Sequence, residues 1–306
     1  MGLTNLQVAG YNVMGGVSPT LHTGKNFFVS SVVGSDFNDG SAETPYATIT
    51  KALGSCVANH DDVIYLMAGH AETISAAAGI AINVAGVWIE GLGTGSLRPK
   101  LTWSATSSTM TITAADVTLK NIVTTISVDE VVSMISVTGA GVTLDGVDFV
   151  PYGALGATGQ ALQWLLTTAA ASDLTIINCR HLQGTAAAAN QVWIQLVGVN
   201  NPRIINNSID ILARANTASI AISGSTACTN VEVIGNRIMW RGATITSVIN
   251  FVTTSTGFIA YNAVGSGIAG TVTANLVGDA CYFFQNYSMD VVATSGILTP
   301  AAGTYA

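Results

Sequence analysis

A single-domain, all-β, right-handed parallel β-helix with a short capping helix near its N-terminus is the fold this sequence predicts. Three observations carry the prediction. One short pattern, an alternating apolar strand ending in Gly, Asn or another turn-tolerant residue, recurs eight times along the 306 residues. The spacing between copies holds about three short strands joined by turns too short for helices. Charged residues make up only 9% of the chain, against roughly 25% in ordinary soluble domains.

The copies are VWIEG, VTLKN, VTLDG, LTIIN, PRIIN, VEVIG, GFIAY and CYFFQ, ending at positions 91, 121, 146, 178, 206, 235, 261 and 285. Successive ends lie 30, 25, 32, 28, 29, 26 and 24 residues apart. Upstream of most copies runs a second alternating strand (GIAINVAG, TMTITAAD, MISVTGAG, SIAISGST), and downstream often a third (VDFV, SIDIL, RIMW). Strands so closely connected cannot form a helix-linked parallel sheet, but they can coil, each pairing with its counterpart one period later. The hand should be right, as it is for nearly all parallel crossovers.

Alignment of the copies sorts residues into columns stacked about 4.8 Å apart. The third position reads Ile89, Leu119, Leu144, Ile176, Ile204, Val233, Ile259, Phe283. It is apolar throughout and therefore points inward, each member stabilising the fold by about 1.5–3 kcal/mol through burial. Parity turns the second and fourth positions outward. The fourth begins with Glu90, Lys120 and Asp145, a charge-alternating ladder, and then becomes Ile177, Ile205, Ile234, Ala260 and Phe284. The second sets Arg203 above Glu232, then turns aromatic at Phe258 and Tyr282. Together Ile177, Ile205, Ile234, Phe258, Ala260, Tyr282 and Phe284 make an outward apolar strip that is expected to be an oligomer interface. Turn positions hold Asn121, Asn178, Asn206, Asn207, Asn236, Asn262 and Asn286, expected to form a structural turn ladder, because Asn accepts left-handed backbone and its amide can bond the next rung.

The chain divides into an extended arm at 1–26 without rung pattern, an opening turn and capping helix at 27–58, and the β-helix at 59–306. In the second segment Thr44 is the expected N-cap and Pro45 the first helical residue. Ile49, Ala52, Leu53, Cys56 and Val57 share a face at helical spacing, and DDVIYL reads as the first strand. Asp36, Asn38 and Asp39 are one residue too close for an EF-hand loop and fit an Asx-rich turn.

The stretch GSDFNDGSAETPYATITKALGSCV resembles the opening region of pectate-lyase-like β-helix proteins. DDVIYLMAGHAETISAAAGI and VWIEGLGTGSLRP extend the resemblance to β-helix proteins encoded in phages and prophages, over residues 27 to 150. The resemblance is specific for fold and not for activity, since this fold hosts lyases, hydrolases, adhesins and inert virion parts.

The chemistry-bearing residues are sparse. A net charge of −7, with ten basic residues scattered singly, argues against nucleic acid as a partner. Mean hydropathy is high at +0.50, but the longest apolar stretch, 76 to 89, alternates and contains Asn83, so no membrane span is expected. The N-terminus MGLTNLQVAG shows neither an export signal nor a myristoylation signal. Cys56, Cys179, Cys228 and Cys281 lie far apart, and His22, His60, His70 and His181 are single, which suggests buried thiols and surface or turn histidines rather than metal or nucleophile sites. The five tryptophans fall in different rungs, as packing residues do. Asp145 and Asp148 are the best acidic pair, but Asp145 belongs to the charged ladder and Asp148 falls one rung from Arg180. Asp129 with Glu130 and Asp61 with Asp62 read as exposed acids.

No catalytic residue, metal or cofactor is therefore expected. The expected function is that of a bacteriophage virion structural protein, an oligomeric capsid decoration or cement protein assembled in the host cytoplasm. Its partners would be itself, as a homotrimer, and a major capsid or other virion protein engaged by the arm. The alternative is a tail-spike or fibre component that binds or cleaves host polysaccharide.

Overall fold

The computed structural model describes residues 6–8, 11–13, 22–150, 161–183, 192–211, 220–240, 247–266, 276–278, 280–289 and 297–298. Among them the chain winds as a right-handed parallel β-helix of three sheets with ten, ten and eight strands. Each turn visits the first, second and third sheet in that order. Two antiparallel pairings stand apart from this pattern: Leu6–Val8 with Tyr11–Val13, and Asn286–Ser288 with Ile297–Leu298.

The first sheet contains all eight repeat strands, in the register that the alignment gives. Ile89, Leu119, Leu144, Ile176, Ile204, Val233, Ile259 and Phe283 pair in succession. All but Phe283 are buried, and Phe283 packs against the core from its edge. The stack begins one strand earlier than the sequence pattern indicates, because Asn26–Val29 pairs in parallel with Val63–Leu66. That strand lacks the repeat's turn ending: it runs into a long loop whose backbone is tied to Tyr46, Ser30 N donating to Tyr46 O and Tyr46 N to Phe28 O.

The capping helix also starts later than expected, at Ile49–Leu53, with Thr48 as N-cap. Asp36 is the reason. Its carboxylate accepts hydrogen bonds from the amides of Ala47 and Thr48 at 3.0 Å and from Thr48 Oγ1 at 2.9 Å, which fixes Thr48 where it can accept from Lys51 N. Thr44 and Pro45 lie instead in the preceding turn. There Thr44 and Ser41 hydrogen bonds hold the Asp39 carboxyl down to about 2. Ile49, Ala52 and Leu53 are buried, whereas Val57 falls beyond the helix and is exposed.

One corner organises the solenoid. After each first-sheet strand from Thr118–Lys120 onward one residue takes left-handed backbone: Asn121, Gly146, Asn178, Asn206, Gly235, Tyr261 and Gln285, with φ between 44° and 68°. The next residue turns inward and is buried: Ile122, Val147 and Cys179, then Asn207, Asn236, Asn262 and Asn286. From Lys120 onward the outward columns flanking this corner keep a constant offset of three residues, from Lys120 and Val123 through Asp145 and Asp148 to Phe284 and Tyr287.

The seven turn asparagines thus occupy two columns. Asn121, Asn178 and Asn206 supply left-handed backbone. Asn207, Asn236, Asn262 and Asn286 form a buried stack in which each Nδ2 donates to a backbone carbonyl of the preceding turn, and the Nδ2 and backbone N–H of the first three both donate to the next Oδ1 at 2.9–3.0 Å. Asn262→Ala leaves several of these buried groups unsatisfied and should cost about 2–4 kcal/mol. Asn206→Gly keeps the left-handed corner and should be nearly neutral. Urea midpoints of the two variants check this; equal losses would mean that the ladder does not hold the corner.

Candidate functional surfaces

Because inward columns are committed to packing, any binding or chemistry falls to outward columns and turns. On the outer face of the first sheet, Lys120 Nζ lies 3.1 Å from Glu90, and Arg203 Nε donates to Glu232 at 2.8 Å. Asp145 is in register with Lys120, and Asn178 Nδ2 donates to it at 2.9 Å.

Further along that face Ile177, Ile205 and Ile234 are half-buried and Ala260 is buried, so the openly exposed part of the strip is Phe258, Tyr282 and Phe284. Tyr261 and Tyr287, which sequence columns did not single out, extend it around the corner. Phe258 and Tyr282 stack on each other, with centroids 5.5 Å apart, and Phe284 meets Tyr261 edge-to-face at the same distance. Five exposed aromatic side chains thus gather on the last two turns of the first sheet and the adjoining corner.

The outer face of the second sheet holds the Asp148 cluster. Asp148 is 4% exposed and lies between two arginines, with Arg98 Nη1 and Arg180 Nη2 each 2.5 Å from Oδ2. Arg98 Nη2 also donates to the carbonyls of Gly146 and Ile122. The hydrogen bond and charge of Asp148 push the Arg180 guanidinium further up. A carboxylate so held is a structural counter-ion, with neither oxygen free to shuttle protons. Arg98 comes from a turn and shares no column with Asp148, so no periodic signal in the sequence reveals it.

Two other expectations are corrected. Asp62 is buried rather than exposed, at 1%, and accepts from the amides of Lys25 and Val57 and pairs with His60 at 2.6–2.7 Å. Burial alone would raise its pKa, but these hydrogen bonds prevail and lower it. Asp61 likewise pairs with His22 at 2.7 Å and accepts from Thr23 N, and the His22 ring lies edge-on to Trp88. The arm is therefore tied to the solenoid over residues 22–25.

His181 and His70 are buried rather than exposed. His181 takes an inward position between Phe149 and Ile209, its ring 4.3 Å from Trp164 and also beside Trp193 and Trp240. The column was readable from sequence, since RHLQ shares the register of VDFV and SIDIL. Burial pushes the thiols of Cys56 and Cys179 up to about 12, that of Cys281 to about 11, and that of Cys228 upward, which makes all four poor nucleophiles at neutral pH. Among the described residues no three His, Cys, Asp or Glu side chains converge as a metal set, and no helix is long and apolar enough to cross a membrane.

No family model matches the sequence, and no curated protein matches it. Solved structures do. A pectin methylesterase from carrot aligns with a TM-score of 0.51 at 13% identity, over 90% of this chain and 86% of that one. The pectate lyase Pel9A aligns with a TM-score of 0.50 at 13% identity, over 89% and 78%. A rhamnogalacturonan lyase aligns with a TM-score of 0.46 at 15% identity, over 91% of this chain, which spans only 66% of that enzyme, just under two thirds. The first two establish a pectate-lyase-like right-handed β-helix fold.

The counter-ion role of Asp148 has a measurable consequence. Asp148→Ala strands the mostly buried Arg98 guanidinium and should lower stability by about 3 kcal/mol. Arg180→Ala removes a mostly exposed partner and should cost less than about 1 kcal/mol. Chemical denaturation of both variants decides; a neutral Asp148→Ala would remove the structural reading of the cluster.

Proposed function

We propose that this chain is a structural, self-associating β-helix of a bacteriophage particle, an oligomeric capsid decoration or cement protein. The observation that carries the reading is the change along the outer face of the first sheet, from charged pairs at Glu90 and Lys120 to exposed aromatic residues at Phe258, Tyr282 and Phe284. A continuous apolar surface of this kind favours burial against another protein. The natural occupant is a second copy, because a closed symmetric assembly buries the strip on every subunit at once. The resemblance to phage-encoded β-helix proteins is what favours three-fold symmetry and a phage particle in this reading, and the segment before His22 is the proposed contact to a major capsid or other virion protein.

Against the tail-spike alternative stands the mutual stacking of Phe258 and Tyr282, which already covers one face of each ring that a sugar would otherwise use. Sedimentation equilibrium of the wild type and of Phe258→Ser/Tyr282→Ser tests the reading. The wild type should sediment as an oligomer and the double variant as a monomer with unchanged β circular dichroism. A monomeric wild type, or a variant that stays assembled, would overturn it.

A further inference from the structure

We propose that the hollow between the Gly95–Leu97 turn and the start of the second sheet binds a small oxyanion: a carboxylate or phosphate group on a molecule about the size of one monosaccharide. The hollow has a volume of about 290 Å³, and Arg98, Lys100, His70 and Ser96 line it together with Gly69 and Gly95. It lies on a different sheet from the aromatic strip and in the first half of the chain, so it stands independently of the assembly role.

Its shape follows from the turn. Gly69 and Gly95 both take left-handed backbone, with φ of +78° and +57°, and at either one an added Cβ would meet nothing within 4 Å. The two glycines leave the rim open where side chains would narrow it.

Its charge follows from how the neighbouring acids are used. Lys100 projects outward between Ala71 and Val123, exposed, and makes no ion pair among the described residues. Arg98 is 14% exposed at its side chain and shares Asp148 with Arg180, so that cluster keeps a net positive charge. Glu72 faces the capping helix, where its Oε2 accepts from Ile49 N at 3.0 Å. His70 Nδ1 accepts from Ser31 N at 3.0 Å, which leaves Nε2 as the ring's donor, 3.3 Å from Glu72 but without hydrogen-bond geometry. Counting Arg98, Lys100 and Arg180 against Asp148 and Glu72, the surroundings are cationic in a chain whose net charge is −7.

Arg98 is held in place by Asp148 and by the carbonyls of Ile122 and Gly146, so its guanidinium charge is fixed at the wall of the hollow rather than carried on a mobile side chain. Lys100 supplies the opposing charge and Ser96 a hydroxyl donor. A partly enclosed site strengthens each of these contacts relative to open water.

Isothermal titration calorimetry of the full chain with inorganic phosphate, glucuronate and glucose tests the site. Phosphate, glucuronate or both should bind saturably at one site, the tighter of the two identifying the anion, and glucose should not. Lys100→Gln and Ala71→Glu, both at exposed positions, should each weaken binding about tenfold or more while leaving the melting temperature unchanged. The proposal fails if neither anion saturates, if glucose binds as well as glucuronate, or if both variants bind like the wild type.

Discussion

The corner between the first and second sheets is the constraint on which the rest of this structure depends. In a parallel stack a slip of one residue moves a whole strand's side chains from inside to outside. A single left-handed residue followed by one inward residue allows no slip, and the three-residue offset from Lys120 and Val123 to Phe284 and Tyr287 is the result. The repeat spacing still varies from 24 to 32 residues. That variation falls on the other connections, where added chain changes no register across the corner.

The corner is sealed by two chemistries. Ile122, Val147 and Cys179 close it by apolar packing, and Asn207, Asn236, Asn262 and Asn286 close it by hydrogen bonds. The side chain of an asparagine there saturates an N–H and a carbonyl of the preceding turn and joins the side-chain amides of its neighbours on both sides. With interior and corner committed, outward columns are free to diverge, and they do: ion pairs early in the first sheet, aromatic residues on its last turns, and a cationic hollow beside the second.

What was legible in the sequence is what periodicity encodes. The inward column from Ile89 to Phe283, the outward column from Glu90 to Phe284, and the pairing of Asp148 with Arg180 all follow from aligning one short pattern, and the observed register agrees at each. What stayed hidden lies off the repeat. Arg98 reaches Asp148 from 50 residues away out of a turn, Asp62 is buried because residues 22–25 close over it, and the helix starts at Ile49 because Asp36 fixes Thr48. Such contacts join non-repeating segments, and no column records them. His181 sits in a legible column, but its residue type suggests a surface although its register places it inside.

Side-chain amide hydrogen exchange, read by NMR, tests the corner most directly. The Nδ2 protons of Asn236 and Asn262 should be protected to the same degree as the backbone amides of Val233 and Ile259 in the strands they brace, opening only when the solenoid does. Exchange at the rate of exposed asparagine amides would contradict the account, because the corner would then be held by something other than the ladder.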